Sequence, residues 1–145
     1  MLQNFQQKMK QIIEKSIIRE IDLSQYEILK MIGRGGFGLV YKVVNKYTNQ
    51  LCAAKMLTKV DINSEKTIRE VMIPEKIEHP CILRLYGFSL HDFVGDPYPV
   101  ILTPFMPNGS LDKILEKERQ DQTLPGFTST SKYIISLGIA LGMKY

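Results

Sequence analysis

The chain has no tryptophan, only two cysteines, no run of Lys or Arg, and no hydrophobic stretch of membrane-spanning length. Each shortage excludes a class of protein. Cys52 and Cys81 lie far apart without Cys-x-x-Cys spacing, so neither a disulfide framework nor a cysteine metal site is expected. Free thiols fit a reducing compartment, and the expected location is cytoplasmic. The densest apolar run, Tyr133 to Met143, is too short for a bilayer, which needs about 20 residues. The first residues lack the apolar centre of a signal peptide, and Leu2 excludes N-myristoylation. Lys and Arg total 19 against 15 acidic residues, a net charge of +4. These charges are scattered, so neither a nucleic-acid partner nor a membrane partner is expected. What is present is ordinary for a globular protein: 145 residues, 44% hydrophobic and 23% charged, enough for one domain with a moderate core.

The apolar pattern changes character along the chain. Leu2, Phe5, Met9, Ile12, Ile13, Ile17 and Ile21 recur at steps of mostly three and four, which predicts an amphipathic helix over 2–21. Such a helix either packs on its own domain or docks a partner. From Tyr26 the residues suit strands. Tyr26–Ile32, Leu39–Asn45 and Gln50–Leu57 read as three strands in two consecutive antiparallel hairpins, with turn residues at Asn45 to Asn49. Asp61 to Ser64 supply caps for a helix from about Glu65, with Ile68, Val71 and Met72 on its apolar face, ended by His79-Pro80. Leu83–Leu90 and Tyr98–Leu102 are two further strands. Ser110 is expected to cap a helix over Leu111–Arg119, and a last helix covers about Ser129–Tyr145.

One stretch carries chemistry. Gly33-Arg34-Gly35-Gly36-Phe37-Gly38 is followed, seventeen residues after its last glycine, by Lys55 in Ala53-Ala54-Lys55. Gly-x-Gly-x-x-Gly alone is a weak signal, because it also marks a dinucleotide fold. The dinucleotide version opens a helix. Here the glycines lead into another strand, so they form a hairpin tip whose N–H groups can approach phosphate oxygens. A ligand-free glycine turn is the alternative, but a turn needs one or two glycines, not four within six residues. Lys55 sits among apolar or small neighbours, where an ammonium is costly to bury unless paired. A carboxylate plus a phosphate would satisfy it, with Glu70 the candidate carboxylate. Otherwise Lys55 points to solvent.

These residues resemble the small lobe of a protein kinase. Gly33-x-Gly35-x-x-Gly38-x-Val40 matches the kinase glycine-rich pattern including its valine, and Ala53-Ala54-Lys55 resembles Ala-x-Lys of the third strand. Arg69-Glu70-Val71 before His79-Pro80 resembles the helix-C glutamate and the turn after it. Cys81 to Phe88 resembles the fourth strand, Val100 to Leu111 the fifth strand, hinge and start of helix D, and Ser131–Tyr145 the first part of helix E. The Pro-Asn-Gly-Ser-Leu hinge is similar to that of the tyrosine-kinase-like group of Ser/Thr kinases. The resemblance covers about residues 24–145.

It implies an α+β fold: a five-stranded antiparallel sheet with helix C, then a hinge and the first two helices of an incomplete helical large lobe. The implied divisions are an N-terminal extension at 1–23, a small lobe at 24–103, a hinge at 104–109 and a partial large lobe at 110–145. It implies ATP as ligand, with Mg²⁺ expected in the full-length family, and phosphoryl transfer to protein Ser or Thr. Ile32, Val40 and Ala53 would sandwich the adenine, beneath a loop of Gly33, Arg34, Gly35, Gly36, Phe37 and Gly38. Thr103 would be the gatekeeper. The Pro104 carbonyl and Met106 amide would bond the adenine edge, and Ser110 would lie near the ribose. Lys55 would bind the α- and β-phosphates and pair with Glu70.

The sequence also departs from the family. Pro74 stands four residues after Glu70, where it can donate no N–H to the Glu70 carbonyl. Helix C is expected to kink or end there, since a straight helix through proline costs about 3 kcal/mol. Neither His79 nor His91 is followed by Arg-Asp, and Asp92-Phe93-Val94-Gly95 echoes Asp-Phe-Gly only superficially, in what reads as a surface loop. The Asp base and the metal-binding Asn and Asp are therefore missing, and no metal ligand is assigned. The last helix is apolar around most of its circumference, as in a large core. The expectation is a fragment inactive on its own, whose partners are ATP and either a protein substrate or a missing large lobe. The alternative is a pseudokinase-like interaction module.

Overall fold

The computed structural model describes residues 7, 19–36, 38–58, 78–122 and 124–144. They fall into two compact units: the residues up to Glu78 with Leu83–Phe105, and His79–Ile82 with the residues from Met106 onward.

The first unit is a five-stranded antiparallel sheet, as expected. Its strands are β1 (Tyr26–Gly35), β2 (Gly38–Asn45), β3 (Leu51–Met56), β4 (Gly87–Ser89) and β5 (Val100–Pro104), in spatial order β1-β2-β3-β5-β4. The first two strands run further into the glycine stretch than the sequence suggests, with Gly33 opposite Val40 and Gly35 opposite Gly38. Two register shifts interrupt β1, between Ile28 and Lys30 and between Met31 and Gly33. At the other end of β2, Asn45 Oδ1 accepts from the amides of Tyr47 (3.0 Å) and Thr48 (2.9 Å), an Asx turn that closes the hairpin onto β3.

Alternation decides which side of the sheet is packed. Val43, Cys52, Ala54, Val100 and Leu102 share one face and are all buried, with Leu23 closing over them. Ile21, Tyr26, Tyr41, Met56, Tyr86 and Phe93 pack around this cluster. Burial pushes the Cys52 thiol pKa up, which makes it an inert core residue. Leu23 is placed by a short 3₁₀ turn, Leu23–Gln25, whose N-cap Asp22 accepts from the Ser24 amide at 2.9 Å.

Two expectations need correction. The fourth strand is Gly87–Ser89 rather than Leu83–Leu90. Continued pairing with β5 would set Leu85 opposite Pro104, which has no N–H to give the ladder. The helix expected over 2–21 does not reach its expected end. Arg19–Ile21 is extended and joins the outer edge of β4: the Ile21 amide donates to Phe88 O at 2.8 Å and the Phe88 amide to Arg19 O at 3.2 Å. Gly87 makes this approach feasible, since at φ 154° a Cβ there would lie 2.4 Å from Arg19 O. The helix expected from about Glu65, with Pro74, and the expected helical residues up to Ile17 (Gln7 excepted) lie outside the described residues.

The second unit holds two helices, α1 (Leu111–Arg119) and α2 (Ser129–Lys144), close to the expected spans. Thr128 and Ser131 exchange hydrogen bonds at the start of α2, Thr128 N to Ser131 Oγ at 2.7 Å and Ser131 N to Thr128 Oγ1 at 3.3 Å, a capping box. Lys132 of α2 forms an ion pair with Glu118 of α1. Neither helix buries a residue fully.

The inner-face cluster should dominate the stability of the first unit. Leu102→Ala is expected to cost about 3 kcal/mol, as for other fully buried leucines, read as a shift of the urea midpoint. A cost below about 1 kcal/mol, the level of exposed positions, would show that this face is not what holds the sheet.

Candidate functional site

Directly opposed residues of an antiparallel ladder share a face. One row of such residues runs Gly33, Val40, Lys55, Ile101, Phe88, and the next runs Lys30, Lys42, Ala53, Thr103. Val40, Ala53, Lys55 and Thr103 therefore stand together on the face opposite the Val43–Leu102 cluster. Four residues singled out from sequence, scattered over some sixty positions, are brought together by register alone. Lys55 lies between Val40 and Ile101, half-buried and engaged by an electrostatic or hydrogen-bonding contact. Its flanking residues are aliphatic, which strengthens any charge-charge contact its ammonium makes.

The glycines divide into two kinds. Gly38 is demanded by the fold: at φ 150° a Cβ would stand 1.9 Å from Met56 O. Gly35 and Gly36 have no such constraint. Neither has a positive φ, and a Cβ at either meets nothing within 4 Å among the described residues. Gly33 would make ordinary contact with Val40 at 3.6 Å. Gly35 and Gly36 thus leave one arm of the hairpin without side chains at positions where no described residue requires glycine.

The remaining sequence candidates are placed less centrally. Ile32 falls in the second register shift of β1 and is 36% exposed. Arg34 opposes Leu39, one position out of the Gly33–Val40 row. Pro104 ends β5 opposite Cys52. Met106 and Ser110 belong to the second unit, where Met106 O accepts from the Gly109 amide at 3.2 Å in a turn before α1. Ser110 occupies the N-cap of α1 but makes no side-chain cap bond, a correction to the expected hydroxyl cap. Its side chain instead holds the Asp112 carboxyl below the ordinary carboxylate range, the largest of several causes. Phe37 and Glu70 lie outside the described residues.

Asp92-Phe93-Val94-Gly95 is a loop between β4 and β5. Asp92 Oδ1 accepts from the amides of Val94 and Asp96, both at 2.9 Å, so the carboxylate is spent on closing the turn. Among the described residues no three His, Cys, Asp or Glu side chains gather as a metal site. No described helix is long and apolar enough to cross a membrane.

Sequence reasoning missed Lys42. Its ammonium sits 4.6 Å from the centre of the Phe105 ring, a cation–π contact that ties β2 to the residue after β5. The available signal was its spacing, two residues after Val40 on the same strand face.

Comparison with known proteins bears on this geometry. The family description protein kinase domain matches residues 26–145. Over 126 residues the chain is 29% identical to "Probable serine/threonine-protein kinase samkB" of Dictyostelium discoideum, covering 86% of this chain and 20% of that protein. Human "Serine/threonine-protein kinase 10" is 38% identical over 99 residues, 67% of this chain and 10% of that protein. "Tyrosine-protein kinase receptor TYRO3" of Danio rerio is 35% identical over 127 residues, 80% of this chain and 14% of that protein. The chain thus spans a fifth or less of the length of each. A match that begins at the first residue of β1 and runs through α2 settles the affiliation: this chain belongs to the protein kinase family.

Proposed function

We propose that this chain is the ATP-binding part of a protein kinase that phosphorylates Ser or Thr. The observation that carries the reading is the pair of hairpin glycines, Gly35 and Gly36, that no described residue requires, beside a sheet face bearing Lys55. A bare backbone there lets amide N–H groups approach phosphate oxygens, and Lys55 supplies a cation to the same group. Ile32, Val40 and Ala53 would hold the adenine, with Thr103 limiting depth behind it. The Pro104 carbonyl and Met106 amide would read the adenine edge, and Ser110 would approach the ribose. Proline at 104 costs nothing in this role, because it keeps its C=O. Gly33, Arg34, Phe37 and Gly38 complete the loop over the phosphates, and Glu70 would pair with Lys55.

In this reading residues 24–103 are the small lobe, 104–109 the hinge and 110–145 the start of the large lobe, after an N-terminal extension at 1–23. The Ser/Thr preference rests on the Pro107-Asn108-Gly109-Ser110-Leu111 hinge. A cytoplasmic location is supported by Cys52 and Cys81, both free thiols. ATP would supply the transferable phosphoryl group, and the family's Mg²⁺ its charge neutralisation. The 145 residues themselves carry no His-Arg-Asp base and no Asp-Phe-Gly metal ligand. They can orient a nucleotide but hold no group to take the proton from an attacking hydroxyl.

A second reading, a pseudokinase-like interaction module, is favoured by α2, whose Tyr133, Ile134 and Met143 are 70%, 61% and 83% exposed. An apolar surface of this kind calls for a covering partner, either large-lobe residues or another protein. Partner binding insensitive to Lys55→Ala, with no ATP binding, would favour it.

Calorimetry should show ATP binding that changes little with Mg²⁺ and weakens about tenfold or more in Lys55→Met, the loss of one charge-assisted phosphate contact. The 145-residue polypeptide should phosphorylate no peptide. Tight, Mg²⁺-dependent binding, or turnover abolished by Lys55→Met, would count against this account.

The glycines offer a sharper test. Gly35→Ala and Gly36→Ala should leave stability unchanged or raise it by about 0.4–1 kcal/mol, since the native φ suits alanine. Both should nonetheless weaken ATP binding. Gly38→Ala should destabilise by about 2 kcal/mol or more, because backbone rather than a flexible side chain must move. Thermal melts beside ATP titrations separate the two effects, and unimpaired ATP binding in both tip variants would remove the reading's main support.

A further inference from the structure

The row that carries Lys55 continues beyond the sheet. From the glycine hairpin it runs Gly33, Val40, Lys55, Ile101, Phe88, and then bridges to Glu20 in the extended N-terminal segment. Phe88 is fully buried and Ile101 is 7% exposed, so the stretch between Glu20 and Lys55 is close-packed. Close-packed side chains transmit a displacement rather than absorb it.

Phe88 is held from its outer side by two backbone bonds. Its amide donates to Arg19 O at 3.2 Å, and its carbonyl accepts from the Ile21 amide at 2.8 Å. The segment is seated from below as well, because Ile21 packs against the core cluster and Gly87 lets Arg19 approach. Without these residues β4 would be a three-residue edge strand paired on one side only, the weakest place in a sheet.

We propose that Phe88, locked in place by the extended segment Arg19–Ile21, is a positioning residue for Lys55, acting through Ile101. The proposal rests on the nucleotide reading of Lys55. It makes the N-terminal segment a determinant of phosphate affinity although it lies at the far edge of the sheet from the glycine hairpin. Of the adenine-facing positions, Ala53 and Thr103 lie in the neighbouring row, and Val40 shares the row of Phe88 but stands beyond Lys55, the last to feel a displacement that starts at Phe88.

Ile21→Pro tests this directly, since it deletes the N–H that bonds Phe88 O. Amide hydrogen exchange on the full chain reports whether the strand has let go, and titrations with ATP and with adenosine report the consequence. Adenosine has no phosphate for Lys55 to hold. The variant should exchange the Phe88 amide faster and bind ATP about fivefold more weakly, with adenosine affinity within about twofold of wild type, a coupling at the low end of the usual range. By reciprocity, ATP should slow exchange of the Phe88 amide in the wild-type chain. Unchanged Phe88 exchange, unchanged ATP affinity, or equal losses for ATP and adenosine would each overturn the proposal. Failure of the wild-type chain to bind ATP at all would instead refute the nucleotide reading, and this inference with it. Should Ile21→Pro not fold, Phe88→Leu, which loosens the row without touching the strand, is held to the same ATP-against-adenosine split.

Discussion

The two faces of one antiparallel sheet govern everything else in the first unit. Successive residues of a strand must point to opposite sides. Burying Val43, Cys52, Ala54, Val100 and Leu102 on one side therefore sends Val40, Lys42, Ala53, Lys55, Ile101 and Thr103 to the other. A slip of one residue in β3 would exchange Lys55 with Ala54 and put an ammonium into the apolar cluster, a costly burial. The core thus protects the register, and the register assembles the candidate site.

The edges of the sheet are handled differently at its two ends. At the β1–β2 end the strands run into a glycine hairpin, and Gly38 is pinned against Met56. At the β4 end the exposed edge is covered by Arg19–Ile21, an approach that Gly87 alone permits. Glycine serves opposite purposes in these places. At Gly38 and Gly87 it removes a clash within the protein. At Gly35 and Gly36 no described residue stands close enough to demand it.

Much of this was legible from local pattern. The hairpins, the Asn45 turn and both helices of the second unit follow from alternation, turn residues and caps, all of which act within a few residues. The kinase affiliation was readable from Gly33 to Val40, Ala53-Ala54-Lys55 and the Pro107 to Leu111 hinge, because each motif is contiguous. The misreadings share a different cause. Leu83–Tyr86 has strand-like composition, but the partner position that would continue its ladder is Pro104. Arg19–Ile21 fits a helical repeat, but a vacant edge at Phe88 offers its backbone a better partner. Ser110 has the side chain of a helix cap but makes no cap bond, acting instead to hold the Asp112 carboxyl below the ordinary range. Lys42 was overlooked because its significance depends on Phe105, more than sixty positions away.

Local chemistry in the chain was enough to specify the element types, the glycine hairpin, the lysine strand and the family. Their assembly was decided in three dimensions. Which residues oppose Lys55, which glycines the fold can do without, and which segment closes the β4 edge are matters of register and close approach between distant residues. The physical reason is range. Propensity, capping and alternation act over one or two turns of chain, whereas a sheet row such as Glu20, Phe88, Ile101, Lys55, Val40, Gly33 joins five strands and exists only once all of them are paired.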